Sequence, residues 1–278
     1  QLPQGFVLQS CNVALRDYLI EQGCQAAPMG AEAILDLPWR GKRSVRELAR
    51  RGRRHGTIRE VKFSRGNQNK LAQLMRQSPS RQGTQLKHTE RSAFDETTRC
   101  FVFETAEQKW VGAITLSTVA TNYAHTELLL RHKDAPVGIM EALVTAITQQ
   151  LEKEGVEHLS LGNVTPLPIE ENEKIFAAHR HPKELWERSQ MMFRLGRAFN
   201  FAYNADGLWK FKNKFSPRWE PLYLCASPRL SWITVAGLMQ AMGYNDLVWE
   251  QLLQAWPISI PTLQLPFPQV LTRLHFRM

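Results

Sequence analysis

With 278 residues, 43% of them hydrophobic and 22% charged, the chain is long enough for one large or two modest domains, and its composition excludes a disordered protein. Its 35 Lys and Arg against 26 Asp and Glu leave a formal charge of +9, which favours polyanionic partners such as nucleic acid or an anionic lipid surface without choosing between them. The four cysteines are scattered with no CxxC pair, which reads as reduced thiols and no structural zinc, and no run reaches the ~18 apolar residues that span a bilayer, WITVAGLMQAMGY at 232–244 coming nearest.

In chain order, the start QLPQGF has neither the basic head nor the apolar run of a signal peptide, and it lacks Met, so the chain is expected to be a piece of something longer. Val13, Leu15, Leu19 and Ile20 then recur at helical spacing, up to a stop at Gly23. AEAILDL reads as a strand halted by Pro38. The next segment, SVRELARRGRRHG, carries Ser44 and Glu47 at the spacing of a capping box, so a helix is expected to start at Ser44. Val45, Leu48 and Ala49 would face inward and leave Arg46, Arg50, Arg53 and Arg54 as an outward stripe. Solvated helix faces usually mix their charges, and this one scarcely does, which points to an anion. NKLAQLMRQ reads as a third helix, and the polar stretch from Ser78 to Arg91 as a loop or boundary.

Beyond it, RCFVFE and WVGAITLSTV flank the short turn TAEQK, a hairpin signal. HTELLLR makes another strand, followed by a helix from about Val137 to Glu154 with Met140, Leu143, Val144, Ile147 and Leu151 as its stripe. VEHLSLG is a strand and PKELWERSQMMFRLGRAF a helix. In HRHP, His179 and His181 lack a third ligand at metal spacing, so no metal is expected. GLWKFKNKFSPRWEPLYL, at 207–224, alternates lysines with aromatic residues, so it reads as a strand with Trp209, Phe211 and Phe215 on one face and Lys210, Lys212 and Lys214 on the other. The lysine row is either an edge-strand guard or a cationic site. DLVWEQLLQAW is an amphipathic helix, and the proline-rich tail PISIPTLQLPFPQVLTRLHFRM either packs back on the domain or touches a membrane. This order of hairpin, strand, helix, strand, helix and strand pair is α/β with mixed central sheets, the order of the GNAT-type acyltransferase fold.

GAEAILDL, GKRSVRELARRGRRHG, LLLRHKDAPVGIMEALV, VEHLSLGNVTPL and YNADGLWKFKNKFSPRWEPLYL together resemble the cytosolic catalytic region of the bacterial phosphatidylglycerol lysyltransferases, the multiple peptide resistance factors. The last block is the most specific. The resemblance implies tandem GNAT-like folds, divided here as an N-terminal subdomain over 1–92 with the basic helix, a catalytic subdomain over 93–226 and a helical, proline-rich extension over 227–278. It also implies transfer of an aminoacyl group, lysyl first, from aminoacyl-tRNA to the hydroxyl of phosphatidylglycerol, with no cofactor. The setting implied is the cytoplasmic side of the bacterial inner membrane, as a peripheral protein or the soluble part of a larger membrane protein. Where the family has Asp-Leu-Met-Arg, this chain has Glu127-Leu128-Leu129-Leu130-Arg131, and SPSRQGTQLKHTERSAF replaces a Gly-Phe-Ser-like segment.

An activated tRNA ester needs its partners positioned and one proton handled. Glu127 is therefore the candidate for holding the incoming ammonium or taking the hydroxyl proton, and Arg131 for facing the oxyanion or a phosphate. Lys212, Lys214 and Arg218 suit the lipid phosphate, with Lys210 more peripheral, and Asn163 suits polar positioning. Arg46, Arg50, Arg53 and Arg54 would serve the tRNA backbone or lipid headgroups. Two rivals stand beside this reading: an acyl-CoA N-acyltransferase and a noncatalytic module that binds anionic lipid or RNA. Against the first, the junction RHKDAPVG puts Asp134 and the amide-less Pro136 where a pyrophosphate would need backbone donors.

Overall fold

The computed structural model of the chain describes residues 5–79, 94–165, 167–177, 187 and 205–243. Eight strands form one mixed sheet in the order β1-β8-β2-β7-β6-β5-β4-β3. They are β1 (Val7–Cys11), β2 (Gln25–Asp36), β3 (Thr57–Val61), β4 (Arg99–Glu104), β5 (Trp110–Ala120), β6 (Tyr123–Arg131), β7 (His158–Val164) and β8 (Arg218–Ala226). Every pairing is antiparallel except β6 with β7. The chain is thus α/β with a mixed sheet, as its element order predicts. Strands from both sides of the boundary expected at 92 and 93 share the sheet, because β2 lies between β7 and β8 and β3 caps the far edge. The boundary residues themselves, the histidines at 179 and 181, the segment PKELWERSQMMFRLGRAF apart from Glu187, and residues 244–278 of the extension lie outside the described residues.

Helices α1 (Val13–Glu21), α2 (Arg43–Gly52), α3 (Arg65–Gln77), α4 (Ile139–Lys153), α5 (Ile169–Phe176), α6 (Ala205–Asn213) and α7 (Trp232–Ala241) flank the sheet, α2 packing chiefly against α4. Residues alternate between the faces of a strand, so Phe101 and Phe103 of β4 join the core under α4 while Cys100 and Val102 join a second core under α3. Among the described residues, three helices start on a side-chain cap: Asn12 accepts the Leu15 N–H, Ser64 the Asn67 N–H and Ser231 the Thr234 N–H. The helix expected to start on a Ser44 capping box does not. Its first residue is Arg43 and no side chain caps it, and Glu47 instead accepts a 3.0 Å bond from Arg43 one turn earlier, so the carboxylate is spent on an i,i+4 ion pair. Val45, Ala49 and Gly52 turn inward onto α4, and Gly52 is required there because a Cβ would collide with the Gly138 carbonyl.

The strand expected across 207–224 is overturned in its first half. Residues 205–213 form helix α6, and only 218–226 form a strand. Alternating lysine and aromatic residues match a period of two, but the same residues also satisfy helical spacing, and packing decides between them. Phe211 and Phe215, four apart, stack edge-on with centroids 5.3 Å apart, while Leu208 and Trp209 enter the cluster around Tyr223. Asp206 in the first turn and Lys210 and Lys212 in the last follow the helix dipole. The short helix α5 carries no signal that the reading of the sequence singled out. All four cysteines are buried and unpaired by disulfide, and among the described residues no helix is long and apolar enough to cross a membrane.

Candidate active site

The candidate site lies where β6 and β7 part. Their parallel register runs Tyr123 to His158, Ala124 to Leu159 and His125 to Ser160, and no pair follows although both strands continue. Two local distortions accompany the divergence. In β6 the register against β5 slips between Thr126 and Leu129, so Glu127 and Leu128 together face Thr115, whose hydroxyl accepts the Leu128 N–H at 3.1 Å. In β7 Gly162 adopts φ +85°, and its N–H donates 3.0 Å to the Ser160 hydroxyl.

Helix α6 sends Lys212 into this notch. The side chain shares a helix face with Ala205 and Leu208, is only 3% exposed, and donates from Nζ to the Asn163 carbonyl at 3.0 Å. A Cβ on Gly162 would stand 3.3 Å from that ammonium, 3.8 Å from the Thr126 carbonyl oxygen and 3.9 Å from Thr126 Oγ1, so the glycine lets β7 pass close to the lysine. The Asn163 amide itself donates 3.1 Å to Ser10 Oγ of β1.

Next to the notch is a carboxylate network. Glu32 of β2, its side chain 16% exposed, accepts bonds from Ser160 Oγ at 2.5 Å and the Tyr123 hydroxyl at 3.1 Å, and lies 3.4 Å from His125 Nδ1. Burial pushes its pKa up, but the bonds from His125 and Ser160 and the pull of the imidazole outweigh burial, and the carboxyl titrates below the ordinary Glu range. Burial, with the adjacent Glu32 charge, drives the Tyr123 phenol well above its usual value and keeps it a donor. Four residues further along β2, Asp36 takes two bonds from Arg218, at 3.2 and 3.0 Å, and one from His158 at 3.0 Å. The Arg218 guanidinium holds the Asp36 carboxyl below the usual range, and Asp36 raises Arg218 in return. Arg218 also bonds Glu220.

Of the residues expected from the sequence, Lys212 and Asn163 meet directly. Glu127 follows Thr126 at the bulge, is half-buried, and accepts a 2.6 Å bond from Ser117. Arg131 ends β6 with its side chain exposed, and its backbone N–H donates to Ser78 Oγ at 3.4 Å. Lys214 is exposed beyond α6, 3.3 Å from Glu141 of α4 and 5.7 Å from the Phe211 ring centroid. Arg218 belongs to the Asp36 cluster rather than to the notch, and Lys210 is exposed. Arg46 and Arg50 on α2, and Arg53 and Arg54 on the 3-10 turn that follows, are all exposed, with Arg53 reaching Gln149 at 3.3 Å. Thr126, Ser160, Glu32, Tyr123 and His125 escaped the sequence reading. A signal existed for Glu32, a lone acid inside the apolar run GAEAIL, and for Tyr123, His125 and Glu127, which share a period of two in YAHTE.

Residues 4–226 match the family model described as phosphatidylglycerol lysyltransferase, C-terminal. No curated protein sequence matched the chain. Among solved structures, one described as the C-terminal domain of a lysylphosphatidylglycerol synthetase from Agrobacterium fabrum aligns with a TM-score of 0.64 at 24% identity, over 86% of this chain and 72% of its own. L-PGS from Bacillus licheniformis aligns at 0.62 and 19% identity, over 85% of this chain and 72% of its own. FemX aligns at 0.50 and 8% identity, over 79% and 71% respectively. At such identities the structures speak for a shared fold, and the family match, which takes in every described strand, carries the assignment. The chain belongs to the phosphatidylglycerol lysyltransferase C-terminal family and is an aminoacyltransferase domain of that family.

Proposed function

We propose that the chain moves an aminoacyl group, lysyl in the first instance, from aminoacyl-tRNA to a hydroxyl of phosphatidylglycerol at the cytoplasmic face of a bacterial membrane. The observation that carries this reading is the buried Lys212 ammonium in the notch where β6 and β7 part, inside a chain of this family. One ester replaces another. The lipid hydroxyl oxygen bonds to the ester carbon, the bond from that carbon to the tRNA ribose oxygen breaks, and the ribose oxygen leaves with the proton the lipid hydroxyl gives up. The reaction asks the protein for positioning, a route for that proton and cations for two anionic substrates.

The chain has groups for each task. Glu127 at the bulge is the carboxylate nearest in sequence to the notch, suited to the substrate ammonium or the hydroxyl proton, with Ser117 holding its Oε1. Arg131, Lys214 and Arg218 are exposed cations suited to phosphate, Lys214 and Arg218 each already paired with a carboxylate that a phosphate would displace or share. Arg46, Arg50, Arg53 and Arg54 present their charge to solvent on the α2 segment, as a nucleic-acid backbone or anionic headgroups require. The test is incubation with phosphatidylglycerol vesicles and separately charged lysyl-, alanyl- and arginyl-tRNA, followed by lipid chromatography. An RNase-sensitive, ninhydrin-positive lipid is expected, and its absence with every charged tRNA rejects the reading.

A further inference from the structure

His125 is the last residue of β6 paired with β7, so it stands at the point where the two strands part. Sheets with parallel strands take ligands in the crevice that opens beyond such a point. Ala124 turns into the core under α4, so alternation puts Tyr123, His125 and Glu127 on the other face of the strand. The groups facing the imidazole there are Glu32 of β2, Ser160 of β7, Ser117 of β5, and Tyr123 and Glu127 along its own strand. Nδ1 lies 3.4 Å from Glu32 Oε1, an oxygen already fixed by Ser160 Oγ at 2.5 Å and the Tyr123 hydroxyl at 3.1 Å. Pairs of this kind are commonly long until substrate binds. The carboxylate can only accept, so it holds the ring proton on Nδ1 and leaves a bare lone pair on Nε2. Nε2 has no partner among the described residues and is not one of their buried unpaired atoms, and with the side chain 27% exposed it is open to solvent. His158 makes a shorter pair with Asp36, at 3.0 Å, but it stands at the start of the shared register and shares its carboxylate with Arg218.

We propose that His125 is a catalytic residue that carries the proton from the lipid hydroxyl to the ribose oxygen through Nε2, with Glu32 as the residue that positions it. This inference rests on the transfer reaction given above. Imidazole can take a proton and return it within one turnover. As the hydroxyl oxygen bonds to the ester carbon, its proton passes to Nε2 and the ring becomes an imidazolium. When the bond to the ribose oxygen breaks, the same proton goes to that oxygen and the ring is neutral again. Glu32 is ionised at neutral pH, because its bonds hold it below the ordinary Glu range. Its charge stabilises the transient imidazolium more than the neutral ring, so its effect falls on turnover rather than on substrate binding. Glu127, on the same face, is left for the substrate ammonium.

The experiment uses the whole chain with lysyl-tRNA and phosphatidylglycerol vesicles. It compares kcat and KM for wild type, His125→Gln, His125→Ala, Glu32→Gln and the double variant Glu32→Gln with His125→Ala, with thermal unfolding recorded for each. Both His125 variants should lose about 100-fold or more in kcat, with KM for lysyl-tRNA within about twofold. Added imidazole should restore part of the turnover of His125→Ala, where the ring's space is vacated, and none of that of His125→Gln. Glu32→Gln alone should lower kcat by about tenfold or more. In the double variant it should lower kcat no further than His125→Ala does, because Glu32 acts through the ring. If His125→Ala does not fold, His125→Gln alone and combined with Glu32→Gln carries the same comparison. A kcat for His125→Gln within about threefold of wild type, a loss confined to KM, a folded His125→Ala that imidazole does not revive, or losses that multiply in the double variant overturn the proposal while leaving the transfer reaction in place. A wild-type protein that transfers from no charged tRNA overturns both.

Discussion

Replacing Glu32 should cost the fold more than any single surface change, and the cost should depend on pH in a defined direction. The carboxylate accepts from Ser160 at 2.5 Å and Tyr123 at 3.1 Å, with His125 at 3.4 Å. Hydrogen bonds to a charged group contribute about 1.5–3 kcal/mol each, and part of that sum is already offset by the cost of burying the charge. Glu32→Ala also leaves the Tyr123 and Ser160 hydroxyls facing a gap. A net loss of about 2–4 kcal/mol follows, or on the order of 5–15 °C in Tm for a domain of this size. Glu32→Gln keeps the shape and should lose about half as much at pH 7. Because the folded carboxyl titrates below its ordinary value of 4.5, its stabilising contribution is complete above that value and fades as pH falls through the lowered folded pKa. The gap between wild type and Glu32→Gln in urea unfolding should therefore persist above the ordinary value of 4.5 and close as pH falls from there through the lowered folded pKa. An Ala variant within about 0.5 kcal/mol of wild type, or a Gln deficit that persists unchanged into acid, refutes the reasoning.

Two further outcomes follow from the charged surface. Arg50→Ala combined with Arg54→Ala should weaken tRNA binding, seen by filter binding or fluorescence anisotropy, and flatten the dependence of log affinity on log salt by about one to two units of slope, with thermal stability unchanged. Unchanged slope would remove α2 from the tRNA surface. Arg99 bonds Glu60 of β3 at 2.7 and 2.8 Å and Glu154 at the end of α4 at 2.5 and 2.9 Å, tying an edge strand to a helix. Arg99→Gln should lower unfolding free energy by about 1–2 kcal/mol, less in high salt, since the clamp is only partly shielded from water.

How far the sequence foretold this molecule depends on which forces set each part. Strands β4 to β6 and helix α4 were legible because their apolar periodicity is strong and their packing agrees with it, down to Leu143, Ile147 and Leu151 under the sheet. The Lys210 to Phe215 run was ambiguous, since two periods fit the same letters, and a contact between Phe211 and the main core settled it. The Ser44 capping box failed for a local reason, because Arg43 competes for Glu47. Lys212 and Asn163 were named as site residues from the motif, but their meeting depends on α6 being a helix and on Gly162 bending β7, neither of which the letters spell out. Glu32 and Ser160 are 128 positions apart and come together only because β2 inserts beside β7, a long-range pairing that no local window contains.

The central claim is tested most directly by following a radiolabelled lysyl group from lysyl-tRNA in a single turnover with vesicles of phosphatidylglycerol or of phosphatidylcholine. The account predicts that label passes to lipid only with phosphatidylglycerol and only while the tRNA is intact. Label that stays on tRNA, or is released solely as free lysine, contradicts it.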